Sequence, residues 1–120
     1  MVQNLEFHGV HTEIDKDLKE HIKRKIGNLD KYVSPSSRRS LHIEVYAKES
    51  QTHIPQQFEC EVVVHLPKET IRIREETNNM FAAVDIVEAK LKQALMRYKD
   101  THDNPKRWRH LLKRSRNLRR

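Results

Sequence analysis

Three consecutive stretches in the middle of this chain alternate apolar and polar residues, and that alternation restricts the fold more than any other feature. In LHIEVYAK, Leu41, Ile43, Val45 and Ala47 take one side, and His42, Glu44, Tyr46 and Lys48 take the other. In FECEVVVHL, Phe58, Cys60, Val62, Val64 and Leu66 face opposite to Glu59, Glu61, Val63 and His65. In TIRIRE, Ile71 and Ile73 oppose Arg72 and Arg74. Side chains alternate across a strand with period two, so each stretch reads as a strand with one buried face and one wet face. The link PKE between the last two is too short for a crossover, so they form an antiparallel hairpin. ESQTHIPQ, with Pro55, is a loop. A sheet that is dry on one side needs a layer of helices there.

The flanking segments supply that layer. Leu5 and Phe7 alternate with Glu6 and His8 in a short strand that ends at Gly9. Asp15 is placed as a helix N-cap, and Leu18, Ile22, Ile26 and Leu29 then recur at helical steps, which predicts a helix over residues 16–32. Gly27 costs such a helix about 1 kcal/mol relative to Ala. SPSSRRS (residues 34–40) reads as a loop by its Ser and Pro content. After the hairpin, TNNMFAAVDIVEAKLKQALMRYK is a long helix capped by Asn78 or Asn79, with Phe81, Val84, Val87, Leu91, Leu95 and Tyr98 in one stripe. Its acids come early and its cations late, as the helix dipole favours. The order β-α-β-β-β-α gives an α+β fold. Two helices pack on one face of a four-stranded, mostly antiparallel sheet, as in double-stranded-RNA-binding domains. Residues 1–100 are read as this domain, and residues 101–120 as a basic C-terminal extension.

The charge is unevenly spread. The chain carries a net +7, yet residues 105–120 hold eight of its 24 Lys and Arg and no acid. The remaining 16 cations face all 17 acids, so the body is close to neutral. A sequence pI near 9.7 points to a polyanionic partner. No run of about 18 apolar residues exists, and the first residues lack the pattern of a signal peptide, so a cytoplasmic protein without a membrane partner is expected. One cysteine, Cys60, allows no internal disulfide.

Cations fall in register on the predicted helices. Lys16, Lys19 and Lys23 share one flank of the first helix, Arg24 lies on its solvent side, and Lys25 lies on the opposite flank of the apolar stripe. In the last helix Lys90 and Arg97 share one flank, and Lys92 and Lys99 share the other. Side-by-side helices would set such flanks along a common groove; the rival reading is ordinary solvated faces. In the tail, Lys106, Arg107, Arg109, Lys113, Arg114, Arg116, Arg119 and Arg120 surround Trp108, Leu111 and Leu118. Asn104 and Pro105 form an N-cap and N1 pair, so the tail is either a basic amphipathic helix or a disordered basic extension. Among eight His, His8 and His11 span a strand end, and His42 and His65 lie on wet strand faces without a Cys or Asp cluster, so no metal site is expected. Two Gly leave no phosphate-cradling loop, no nucleophile–base arrangement is legible, and Cys60 lies among core residues. An enzyme, a cofactor and a small-molecule substrate are therefore not expected.

Two segments carry a family resemblance. FHGVHTEIDKDLKEHIKRKIGNLDKY resembles the opening of the ribosome hibernation promoting factors, also called ribosome-associated inhibitors, in which a Gly ends the first strand and an acid-capped helix runs to a Lys-Tyr close. NNMFAAVDIVEAKLKQALMRYK is similar to their last helix, through its Met-aromatic-Ala-Ala-aliphatic-Asp core, Lys90-Leu91, Leu95 and Arg97-Tyr98-Lys99. The resemblance spans roughly residues 3–100. It implies a factor that binds the small ribosomal subunit between head and body. There it occupies the messenger and transfer RNA sites and stops translation in stationary phase or stress. It also implies a protein that is monomeric when free, with Lys19, Lys25, Lys90, Arg97 and Lys99 facing ribosomal RNA; Lys16, Lys23, Arg24 and Lys92 join them from helical spacing. Gln93 stands where the family often has Arg, and Asn78 and Asn79 replace a usual acidic pair. The chain is expected to be a short form without the second domain of the long members, and its basic tail matches neither known short type. The other readings are a double-stranded RNA-binding module and a structural protein built stably into the ribosome.

Overall fold

A computed structural model of the chain describes residues 2–50 and 56–103. Strands β1 (Asn4–Val10), β2 (His42–Glu49), β3 (Phe58–His65) and β4 (Thr70–Thr77) form one sheet in the order β1-β2-β3-β4. β1 pairs parallel with β2, and the other two pairings are antiparallel. The parallel pair requires a crossover, which contains helix α1 (Lys16–Lys25), a 3-10 turn (Leu29–Tyr32) and the short helix α2 (Pro35–Arg38). Helix α3 (Met80–Tyr98) returns across β3 and β4 and ends in a π turn, Lys99–Asp103.

One face of the sheet is dry. Ile43, Val45, Ala47, Cys60, Val62, Val64 and Ile71 pack against Leu18, Ile22 and Ile26 from the first helical segment and Ala83, Val84, Val87, Leu91 and Leu95 from α3. This is the face predicted from alternation. The β3–β4 reversal closes with Leu66 N–H donating to Glu69 O at 2.9 Å. Lys68 N–H adds a bond to the Tyr98 hydroxyl at 3.2 Å, tying the hairpin to the end of α3. Ser50 N–H donates to Gln57 O at 2.9 Å at the base of the β2–β3 connection. The remainder of that connection, residues 51–55, lies outside the described residues.

Five details differ from the sequence reading. The first helix stops at Lys25 rather than running to residue 32. Asn28 Nδ2 donates to Arg24 O at 3.0 Å, and the chain passes through buried Gly27 into the 3-10 turn, which keeps Ile26 and Leu29 in the core. Residues 34–40 contain α2 rather than only a loop; Pro35 starts it and Ser34 Oγ accepts from Ser37 N–H at 3.3 Å. Phe81 is 41% exposed, and Met80 and Ala83 take the core positions instead. Asn79 caps α3 with Oδ1 accepting from Phe81 and Ala82, and this sets the phase of the first turn. Val63 is buried although it faces the polar side. It sits mid-sheet, paired with Glu44 on one side and Arg72 on the other. β1 also runs one residue past Gly9, where a Cβ would lie 2.3 Å from Thr12 O, so the chain folds back closely over this position.

Candidate nucleic-acid interface

Helices α1 and α3 lie side by side and run parallel. His21 Nε2 is 2.8 Å from Asp85 Oδ1, and Lys25 Nζ is 4.0 Å from Asp85 and 3.9 Å from Glu88. Farther along the same seam, the Lys92 ammonium lies 5.3 Å from the centre of the Tyr32 ring. Lys31 makes the same contact from the 3-10 turn itself. Lys99 lines a shallow pocket with Lys31, Tyr32, Met96 and Asp100.

The flanks fall where helical spacing puts them. Lys19 lies over Phe7 of β1 at 5.2 Å, so the flank shared by Lys16, Lys19 and Lys23 overhangs the β1 edge of the sheet. Arg24 is exposed. Lys90 bonds Glu75 on β4, and Arg97 lines a pocket with Glu69 and Ile71, so that flank overhangs the β4 edge. The nine cations thus form three strips across the helical layer. Lys25, Lys92 and Lys99 belong to the seam; the other six lie to its sides. Lys31 and Tyr32, absent from the sequence-based set, join the seam through the 3-10 turn, which a continuous helix over residues 16–32 would have placed differently.

Ion pairing separates the two sides of the molecule. On the sheet side Lys48 lies 3.3 Å from Glu59 and 3.4 Å from Glu61, Arg74 lies 3.2 Å from Glu59, and Arg72 lies 3.8 Å from Glu61. On the helical side only Lys25 and Lys90 of the nine cations meet carboxylates among the described residues. Lys16, Lys19, Lys23, Arg24, Lys92, Arg97 and Lys99 have no close acid among the described residues. The helical layer is therefore the cationic surface of a body whose net charge is small. The tail cations, from Lys106 to Arg120, lie outside the described residues.

The polar sheet face also gathers His8, His42 and His65 with Glu6 and Glu44. Register places Glu6 opposite Glu44 and His42 opposite His65. The hydrogen bond to His65, helped by the charges of His65, His42 and His8, holds the Glu44 carboxyl below the usual carboxylate range. Alternation along each strand gives the face of each residue; it does not give the parallel register that brings Glu6 to Glu44. Cys60 is buried, and burial pushes its thiol up to about 12, which leaves no thiolate for nucleophilic chemistry. No helix among the described residues is long and apolar enough to cross a membrane.

The four-stranded α+β domain with its cationic helical layer has counterparts among known proteins. The family model described as Sigma 54 modulation protein / S30EA ribosomal protein matches residues 5–103, and the chain belongs to this family. The chain is 27% identical over 94 residues to the ribosome hibernation promotion factor of Staphylococcus aureus (strain COL), covering 78% of this chain and 47% of that protein. It thus spans about half the length of this curated relative. The Thermus thermophilus Protein Y N-terminal domain shares the fold with a TM-score of 0.67 at 23% identity, over 80% of this chain and 99% of that one. A ribosomal subunit interface protein from Coxiella burnetii gives 0.66 at 23% identity, over 82% of this chain and 100% of that one.

Proposed function

We infer that this chain is a ribosome hibernation factor that binds the small ribosomal subunit between head and body. Seated there, it obstructs the messenger and transfer RNA sites and keeps the ribosome inactive. The observation that carries this reading is the one-sided distribution of unpaired cations in a chain of the S30EA family: the helical layer offers positive charge, and the sheet face neutralises its own. The mechanism is occlusion, without a chemical step. Lys and Arg of α1 and α3 release counterions from RNA phosphates, and the fixed spacing of the strips selects RNA by shape.

Co-sedimentation with small subunits across a salt series tests this. Affinity is expected to fall with salt at a slope of about 0.7–0.9 per phosphate neutralised. Arg97→Glu combined with Lys99→Glu is the chosen variant, because Lys90 is already engaged by Glu75. Both positions are exposed on the last turns, so the fold should persist. Binding is expected to weaken by about tenfold or more. Removal of residues 104–120 is expected to weaken binding and flatten its salt dependence. Unchanged binding in the double variant, or equal affinity for a bare RNA duplex, would overturn the reading.

A further inference from the structure

The polar sheet face holds a group of side chains that the cationic layer does not use. Glu6, on edge strand β1, stands directly opposite Glu44 on β2 in the parallel register. Like charges in directly opposed positions destabilise a sheet unless positive charge lies between them. Here the surrounding groups are imidazoles. His42 Nε2 is 3.3 Å from Glu6 Oε1, His65 Nε2 is 3.2 Å from Glu44 Oε2, and His8 Nε2 is 3.4 Å from Glu6 Oε2. The His42 and His65 rings are 5.3 Å apart across the β2–β3 register.

One nitrogen in this group has no hydrogen-bond partner. His42 Nε2 is shielded from solvent and, although 3.3 Å from Glu6, makes no hydrogen bond among the described residues. A shielded, unpartnered imidazole nitrogen beside two carboxylates is a donor set in search of a cation. One ligand atom each from Glu6, His42 and Glu44 lie within 4.8 Å of one another. A tetrahedral zinc site with bonds of about 2.0–2.2 Å spaces its ligand atoms about 3.3 Å apart. The 3.3 Å separation of His42 and Glu6 already matches one edge of that tetrahedron, and His65 stands at a similar spacing from Glu44 at the rim of the group.

We propose that Glu6, His42 and Glu44 bind a divalent transition-metal ion of the zinc class on the face opposite the cationic helices, with His65, which contacts Glu44 from β3, turning in as the fourth ligand. Two imidazoles and two carboxylates suit a borderline ion and discriminate against magnesium, which prefers oxygen ligands. The ligands come from three adjacent strands. A bound ion would therefore brace edge strand β1, which among the described residues pairs only with β2, to the centre of the sheet. It would also neutralise the opposed carboxylates of Glu6 and Glu44. His8, stacked on Tyr46 with ring centroids 4.8 Å apart, is a flanking group rather than a ligand.

The test is calorimetric titration of chelator-treated full chain with zinc chloride, in parallel with magnesium chloride. NMR of the histidine ring nitrogens assigns the site. The result expected is one saturable zinc site, with shifts confined to His42 and His65, and no binding of magnesium. His42→Gln and Glu44→Gln, both on the wet face and outside the core, should each lower zinc affinity at least about tenfold. Circular dichroism of each variant separates loss of the site from loss of the fold. If a variant unfolds, the wild-type ring-nitrogen shifts decide the matter alone. No saturable binding, zinc shifts at other histidines only, affinity unchanged in both folded variants, or equal binding of magnesium would each overturn the proposal.

Discussion

Cys60 lies on the inner face of β3 between Phe58 and Val62, with no exposed surface, and it shows how burial sets chemistry at one position. Its thiol is held protonated up to about 12, first by desolvation and then by the charges of Glu59 and Glu61. The unfolded chain releases this proton near the ordinary value of 9.0, so above that pH the native state binds more protons than the unfolded one. Stability then falls as pH rises, by at most about 1.4 kcal/mol per pH unit, until the native thiol also ionises. Urea denaturation at about pH 8 and about pH 10 is expected to show this loss in wild type. A Cys60→Ala variant should lack this component of the slope, and equal slopes in the two proteins would contradict the assignment. The inward orientation of Cys60 is legible from alternation alone. Val63, on the same strand, is the counterexample: it faces the wet side yet is buried at mid-sheet between Glu44 and Arg72, which alternation along one strand does not report.

At the scale of elements, the ends of helices decide which residues reach the seam. Asn79 Oδ1 accepts from Phe81 N–H at 2.9 Å and Ala82 N–H at 3.4 Å, and Thr77 Oγ1 accepts from Asn79 N–H at 3.0 Å. This cap places Met80 inward and Phe81 outward against His21. Asn79→Ala should cost about 1 kcal/mol in thermal or urea unfolding, with the fold retained. A loss below a few tenths would mean that packing of α3, not its cap, sets the start of the helix. The end of α1 is less legible in the sequence. Ile26 and Leu29 continue the apolar spacing, but Gly27 and the Asn28 bond to Arg24 O turn the chain. Periodicity reports which residues are buried; it does not report whether the backbone between them stays α-helical. That distinction brings Lys31 and Tyr32 beside Lys92 and Lys99. The flanks themselves, with Lys16, Lys19 and Lys23 on one side and Lys25 on the other, follow directly from spacing.

The whole molecule is two-sided. The dry face of the sheet carries helices whose outer surface holds cations without acid partners among the described residues; the wet face carries a ladder of ion pairs and the His–Glu group. Net charge hides this division, since acids and cations nearly cancel over the body. The family match covers residues 5–103. In this account the helical layer meets ribosomal RNA and the wet sheet face remains away from it. The most direct measurement is a density map of small subunits incubated with the full chain. It is expected to show the protein between head and body, with α1 and α3 against ribosomal RNA and Arg97 and Lys99 within reach of phosphates. Density at another place on the subunit, or the sheet face turned to the RNA, would contradict the account.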